Sequence, residues 1–179
     1  MVLVLLLAAS AIPCAHADEQ LQLIEQEIKG GLLYNFLKYT EWPAEAAAAP
    51  GTPIGVCLFG GDPFNGRLQP MSGRTVNQRV IQVRRVDNLQ EAQGCALVFV
   101  DGSQKEAWPT LERAMTGKGI LTVSDFDGFA ESGGMIEFIR VEKRIGVKVN
   151  TDALAKNHFQ VQDRLLRLAN AVHTNGAER

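Results

Sequence analysis

The chain has 179 residues, of which 46% are hydrophobic and 21% charged, and its formal net charge is −2. That length is enough for one ordinary domain with a sizeable core. Eighteen basic residues stand against twenty acidic ones. This near balance argues against a protein that binds nucleic acid or an anionic membrane surface, because such proteins carry a basic excess.

The beginning of the chain predicts a secretion signal. Residues 2–9 form an unbroken apolar run that is too short to span a bilayer, and Ala-His-Ala at positions 15–17 is a cleavage pattern. Cys14 raises the alternative of an acylated lipoprotein, but the residues before it make a poor lipobox. We expect residues 1–17 to be a cleaved signal and residues 18–179 to form a single periplasmic domain.

Two cysteines follow the predicted cleavage site, Cys57 and Cys95. Each lies in a short apolar run, at residues 54–59 and 95–100, that is typical of a buried strand. Cysteines in an oxidising compartment are more often paired than free. We therefore expect a disulfide, with two buried free thiols as the alternative.

Predicted helices and strands alternate up to residue 123. Apolar residues at spacings of three and four predict a helix over residues 18–39. Strands are expected at residues 54–59, 79–86, 95–100 and 119–123, and further helical segments at 64–68, 89–93 and 105–116. The alternation favours parallel pairing through right-handed crossovers. A strand order of 2-1-3-4 would place Cys57 beside Cys95, within reach of a disulfide.

The pattern changes after residue 123. A Gly-rich loop at residues 124–134 is followed by two runs, 135–141 and 144–150, whose spacing predicts a hairpin. The last predicted element is an amphipathic helix over residues 161–172. The predicted fold is α/β: a single three-layer domain with a mostly parallel central sheet of about six strands, flanked by helices, with the antiparallel hairpin at one edge.

Ligands of an open parallel sheet bind beyond the carboxyl ends of its strands, and Asp62, Asp101 and Asp125 follow three of the predicted strands. Carboxylates there could bind a cation or serve acid–base chemistry. Turn and helix-cap roles are the ordinary interpretation, and we favour them. The sequence has no metal-ligand spacing, nucleophile elbow or phosphate loop. We therefore expect no catalytic residue, metal or cofactor.

Aromatic residues provide the other candidates. Phe126 and Phe129 lie in a loop flanked by glycines, which suits a ligand lid or a protein contact, although both rings could equally pack in the core. Trp42, at the end of the first helix, has the same two interpretations. The residues expected to bind a partner or ligand are Trp42, Asp62, Phe64, Asp125, Phe126 and Phe129.

Five motifs in the same order resemble those of the YfiR family and span nearly the whole chain after the signal. They are LYNFLKYTEWP at residues 33–43, CLFGGDPF at 57–64, GCALVFV at 94–100, LTVSDFDGFAESGGMI at 121–136, and VN at 149–150 with LLRLA at 165–169. Each motif alone is weak, but the set in this order is fairly specific.

The resemblance implies a periplasmic regulator and not an enzyme. A YfiR-like protein is expected to bind the periplasmic domain of a membrane-bound diguanylate cyclase and to repress cyclic di-GMP synthesis, which controls biofilm formation and motility. It also implies sequestration by an OmpA-like outer-membrane lipoprotein, and a homodimer. A periplasmic small-molecule binding module that serves another membrane sensor, and an exported enzyme, are the alternatives.

The chain departs from the family at one point. The best-known member has a second cysteine pair near the Gly-Gly-Met segment, whereas Ala130 and Glu137 stand in that region here. Redox sensing would therefore rest on Cys57 and Cys95 alone. Because a buried disulfide resists reduction, we expect this bridge to have a structural role, with redox sensing as the alternative.

Overall fold

The computed structural model describes residues 15–43, 51–142, 144–163 and 172–174. Four α-helices are present in these ranges: α1 (Ala15–Tyr39), α2 (Leu89–Ala92), α3 (Trp108–Met115) and α4 (Thr151–Lys156). The strands are β1 (Thr40–Glu41), β2 (Ile54–Phe59), β3 (Thr75–Val76), β4 (Arg79–Val86), β5 (Cys95–Val100), β6 (Leu121–Ser124), β7 (Ile136–Val141), β8 (Arg144–Asn150), β9 (Gln160–Val161) and β10 (Val172–Thr174). No helix in the described part of the chain is long and apolar enough to cross a membrane.

Eight strands form one sheet in the order β10-β8-β7-β6-β5-β2-β4-β3. The five strands from β4 to β7 in this order pair in parallel. The hairpin pair β7–β8 and the edge pair β3–β4 are antiparallel, and β10 pairs in parallel with β8. The order β4-β2-β5-β6 confirms the predicted 2-1-3-4 arrangement. β1 and β9 form a separate antiparallel pair.

The α/β class is confirmed, but the prediction of a mostly parallel sheet is wrong. The sheet is mixed, because an antiparallel pair flanks each side of its parallel centre. The hairpin is not at the edge, since β10 pairs outside β8. A helix was predicted over residues 161–172, but its first and last residues belong to the strands β9 and β10. Residues 164–171 of this predicted helix lie outside the described ranges.

Buried side chains form two clusters on opposite faces of the sheet, because successive residues of a strand point to opposite sides. In β2, Val56 and Leu58 join the cluster beneath α1, whereas Cys57 and Phe59 join the cluster beneath α3. The helices cover these clusters with Leu33, Phe36 and Leu37 of α1 and with Trp108, Leu111 and Met115 of α3.

The predicted apolar stripe of α1 is buried only in part. The C-terminal half of α1 packs on the sheet, whereas Leu21, Ile24 and Ile28 of its N-terminal half are 61%, 48% and 43% exposed. The helix α1 is therefore anchored in the core mainly through its C-terminal half.

Candidate functional site

A disulfide joins the neighbouring strands β2 and β5. The Cα atoms of Cys57 and Cys95 are 6.0 Å apart, and both side chains are buried. The register shifts between Gly55 and Val56, so that Gly55 lies opposite Cys95. A Cβ at position 55 would lie 3.1 Å from the Cα of Cys95, so glycine allows this close approach. The bridge agrees with the predicted pairing.

Two of the three predicted aspartates close turns. The carboxylate of Asp62 accepts the backbone N–H groups of Phe64 at 2.9 Å and Gly66 at 2.8 Å. The carboxylate of Asp101 accepts the N–H of Ser103 at 3.0 Å. Both side chains therefore have the turn and cap roles that the ordinary interpretation assigns to them.

Asp125 has a different role, because it forms an ion pair with α1. The Nζ of Lys29 lies 2.8 Å from Oδ2 of Asp125 and 2.8 Å from Oε1 of Glu25. The guanidinium of Arg140 contacts the other oxygen of Glu25. Lys29 is only 11% exposed in its side chain, so this network fixes α1 to the loop after β6 and to β7.

The network lines a cleft of about 440 Å³ between α1 and the β7–β8 hairpin. Its other lining residues are Asp127, Glu137, Phe138, Ile139, Ile145 and Lys148. A neighbouring cleft of about 250 Å³ is lined by Pro63, Phe64, Asp125 and Arg140, among others. The structure therefore brings Phe64 and Asp125 together. Within the described ranges, no group of three or more His, Cys, Asp or Glu side chains could hold a metal ion.

The loop between β6 and β7 packs its aromatic residues into the core. The ring of Phe129 lies 4.3 Å from that of Trp108, and the ring of Phe126 lies 5.1 Å from that of Phe129. Phe129 is fully buried and Phe126 is 9% exposed. In this structure neither ring is a lid, because both are buried in the core cluster beneath α3. Phe64 is likewise buried, with its ring 4.9 Å from that of Phe99.

Glu137 ties the same loop to β7 and was not among the predicted site residues. Its carboxylate, 1% exposed, accepts the N–H of Ala130 at 2.9 Å and that of Gly128 at 3.4 Å. The Nζ of Lys148 lies 3.6 Å away. A buried carboxylate thus holds the loop between β6 and β7 in place.

Lys148 connects this buried carboxylate to the surface. Its ammonium group lies 2.9 Å from Oε1 of Glu131. The hydrogen bond from Lys148 holds the pKa of Glu131 below its ordinary value. The same hydrogen bond raises the pKa of Lys148. The pair is charged across the neutral range, which keeps a cation beside Glu137.

Trp42 lies at the other end of the sheet. Its indole N–H is 3.4 Å from the carbonyl oxygen of Ala96, near the start of β5, whereas Asp101 follows the end of that strand. The ring packs edge-on against Phe159 and is partly buried. The six predicted contact residues therefore do not form one site.

The model of the YfiR/HmsC-like family matches residues 26–170 of the chain. No curated protein sequence matches the chain. The matched residues include the disulfide, the loop tied by Glu137 and every lining residue of the cleft beside α1 except Glu25. Because the match covers well over half of the sequence, the chain belongs to the YfiR/HmsC-like family.

Proposed function

We propose that the protein is a periplasmic regulator of cyclic di-GMP signalling. It binds the periplasmic domain of a membrane-bound diguanylate cyclase and represses cyclic di-GMP synthesis, and so limits biofilm formation. Membership of the YfiR/HmsC-like family over residues 26–170 carries this proposal.

Two features of the chain support it. A disulfide in the core suits an oxidising compartment such as the periplasm, and the predicted signal at residues 1–17 would deliver residues 18–179 there. The carboxylates at the strand ends are engaged in turns and ion pairs, which suits a binding protein better than an enzyme.

The proposed mechanism is occupancy. A regulator that binds the inactive state of the cyclase more tightly than the active state shifts the equilibrium between them by that difference in affinity. The disulfide keeps the binding protein folded and therefore keeps the bound fraction high. Sequestration by an OmpA-like outer-membrane lipoprotein would release the cyclase, and a homodimer would be the unit that binds.

Three of the predicted contact residues are only partly buried, namely Trp42, Asp62 and Asp125. A partner could therefore reach part of each of these side chains. They lie at two ends of the sheet, so a single partner domain would have to cover a wide surface to touch all three.

A pull-down tests the proposal. Tagged protein comprising residues 18–179 is mixed with detergent-solubilised membranes of its host, with and without reductant, and bound proteins are identified by mass spectrometry. We expect recovery of a diguanylate cyclase with a periplasmic domain. If reductant abolishes recovery of the cyclase, the disulfide is needed for binding. If the cyclase is recovered with reductant present, the disulfide has only a structural role. Absence of any cyclase from both samples would overturn the proposal.

A further inference from the structure

Positive charge is concentrated in one segment of the chain. Residues 63–86 contain five arginines and no Lys, His, Asp or Glu: Arg67, Arg74, Arg79, Arg84 and Arg85. The rest of the chain holds the other thirteen basic residues and all twenty acidic ones, a net charge of −7 against +5 here. The overall balance therefore conceals a basic region.

This segment forms one edge of the sheet. β4 pairs with β2 on its inner side. On its outer side, β3 covers only the first two residues of β4, Arg79 and Val80. Residues 72–74 cover the next part of this edge through hydrogen bonds with Ile81 and Val83. We refer to β3, β4 and the arginines of residues 63–86 as the basic edge.

Within the described residues, the backbone of the basic edge has no partner on its outer side at Arg85. The N–H of Ile81 donates to the carbonyl of Arg74 at 2.8 Å, and the N–H of Val83 donates to Oγ of Ser72 at 3.0 Å. Because alternate residues of a strand turn their backbone groups to the same side, the next outward-facing residue is Arg85. An edge strand with outward N–H and C=O groups is a template for pairing with another strand.

Within the described residues, Arg85 is the one arginine of the basic edge that has a carboxylate within 4.0 Å. The guanidinium of Arg84 donates to the carbonyl of Glu91 at 2.8 Å, and that of Arg85 to the carbonyl of Gly60 at 3.1 Å. Arg85 lies 3.7 Å from Asp87, and both side chains are well exposed. Among the residues that the structure describes, no carboxylate lies within 4.0 Å of the other guanidinium groups, those of Arg67, Arg74, Arg79 and Arg84.

Arg84 and Arg85 lie on opposite faces of β4. Arg84 reaches α2, on the face that carries the disulfide. Arg85 alternates with it and therefore shares the other face with Ile81 and Val83, which pack in the cluster beneath α1. Cations on both sides of an open strand edge suit a polypeptide strand, because its side chains also alternate between two faces. A lipid surface would approach from one side only.

We propose that the basic edge binds an extended acidic segment of a partner protein as an additional strand beside β4. Backbone hydrogen bonds at Arg85 would set the register of the added strand, and carboxylates on its two faces would meet Arg84 and Arg85. Exposed Val80, 44% accessible, would add an apolar contact. The identity of the partner as a cyclase rests on the proposed function, whereas the acidic character of the segment does not.

A labelled peptide tests the proposal without the natural partner. The probe is a fluorescein-labelled peptide of about eight residues that repeats Thr-Glu-Glu-Val, so that glutamates lie on both faces of an extended strand. The matched probe replaces every Glu with Gln. Binding to the protein is followed by fluorescence anisotropy at low and at high salt. We expect the Glu peptide to bind, the Gln peptide to bind more weakly, and salt to weaken the difference.

Matched variants locate the site. We expect Arg84→Gln/Arg85→Gln to weaken binding of the Glu peptide about five- to tenfold, as the loss of two exposed charge pairs implies. The control Arg113→Gln/Lys118→Gln removes the same charge from exposed positions elsewhere and should bind the Glu peptide normally.

Bound peptide should also slow hydrogen exchange of the backbone at residues 79–87. Arg85→Gln alone, at an exposed side chain, gives a variant that is expected to fold should the double variant unfold.

Several results would overturn the inference. These are equal binding by the wild-type protein and the Arg85→Gln variant, equal binding of the Glu and Gln peptides, or no protection of residues 79–87. Phosphatidylglycerol vesicles that bind through the same arginines, with no binding of the peptide, would reassign the edge to a membrane. If the peptide binds as expected but no cyclase domain binds the wild-type protein, the proposed function fails and the acidic-strand site stands.

Discussion

Gly134 shows how closely the loop after β6 is packed. A Cβ at this position would lie 2.2 Å from Cε1 of Phe129, and the buried ring of Phe129 is held against Trp108. Since neither ring can move without disturbing α3, we predict that Gly134→Ala lowers the free energy of unfolding by about 2–3 kcal/mol. Denaturant unfolding would measure this loss.

Gly31 is the matched control. It lies on the exposed side of α1, and a Cβ there meets no atom within 4 Å. Ala has a higher helix propensity than Gly, so Gly31→Ala should raise the free energy of unfolding by roughly 0.5–1 kcal/mol. Similar effects of the two substitutions would contradict the packing described for Gly134.

The pair formed by Glu131 and Lys148 predicts a defined pH dependence. The lowered pKa of Glu131 means that its contribution to stability is complete above the ordinary value of 4.5 and is lost as the pH falls through the lower folded value. The raised pKa of Lys148 means that its contribution is complete below 10.5 and is lost as the pH rises through the higher folded value. Because Glu131 is 46% exposed, the effect is less than about 1 kcal/mol.

Glu131→Gln tests this pH dependence. The variant should be slightly less stable than the wild type at pH 6, and the difference should shrink as the pH is lowered below about 4. Thermal unfolding at a series of pH values would follow it. A difference that stays constant down to pH 3 would show that the ion pair does not stabilise the fold.

At the scale of elements, the loop between β6 and β7 depends on Glu137. Removal of its carboxylate in Glu137→Ala leaves the buried N–H of Ala130 without its acceptor, which should cost about 2–3 kcal/mol. Hydrogen exchange should accelerate mainly at residues 126–134. Glu131→Ala, which removes the exposed partner of the same lysine, is the control and should leave that exchange unchanged. Equal acceleration in both variants would contradict a role for the buried carboxylate.

The sequence predicts the central strands accurately. β2, β4 and β5 begin and end at the predicted residues, because apolar runs bounded by turn residues define them locally. β3 and β10 have only two and three residues. Their positions depend on pairing with β4 and β8, so no local pattern could reveal them. The sequence therefore indicated the antiparallel hairpin but neither the antiparallel pair β3–β4 nor the strand outside the hairpin.

The candidate site is predictable only in its local parts. The turn roles of Asp62 and Asp101 follow from their positions at strand ends. The ion pair of Lys29 with Asp125 joins residues 96 apart in sequence, and no local signal indicates it. The glycine-flanked pattern around Phe126 and Phe129 is the same whether their rings are exposed or buried. The contact of Phe129 with Trp108, which the sequence does not indicate, places the rings in the core. One indication of the role of Glu137 was present in the sequence, namely its position as an acidic residue between apolar residues of a predicted strand.

For the whole molecule, the disulfide should be a major source of stability. Its two cysteines are separated by 38 residues, and a cross-link that closes a loop of that size contributes about 4 kcal/mol by restricting the unfolded chain. We predict a loss of that order in the free energy of unfolding of Cys57→Ala/Cys95→Ala, measured by denaturant titration. Reduction of the wild-type protein should give a similar loss. A change below about 1 kcal/mol would show that the core alone maintains the fold.

The charge distribution also acts at this scale. A basic edge on a molecule that is otherwise acidic orients an approaching partner before contact, and screening by salt should weaken this steering. Association of the protein with its proposed partner, the periplasmic domain of a diguanylate cyclase, should therefore slow as ionic strength rises, whereas dissociation should change less. Surface plasmon resonance at several salt concentrations would separate the two rates, and an association rate independent of salt would contradict the prediction.

We propose that the protein represses a diguanylate cyclase, and the cyclic di-GMP content of the host cell is the most direct measurement of that repression. Deletion of the gene should raise cyclic di-GMP, and expression of the full chain should restore the original level. Deletion of the cyclase as well should remove the rise. An unchanged content after deletion, in cells where the protein is normally present, would contradict the account.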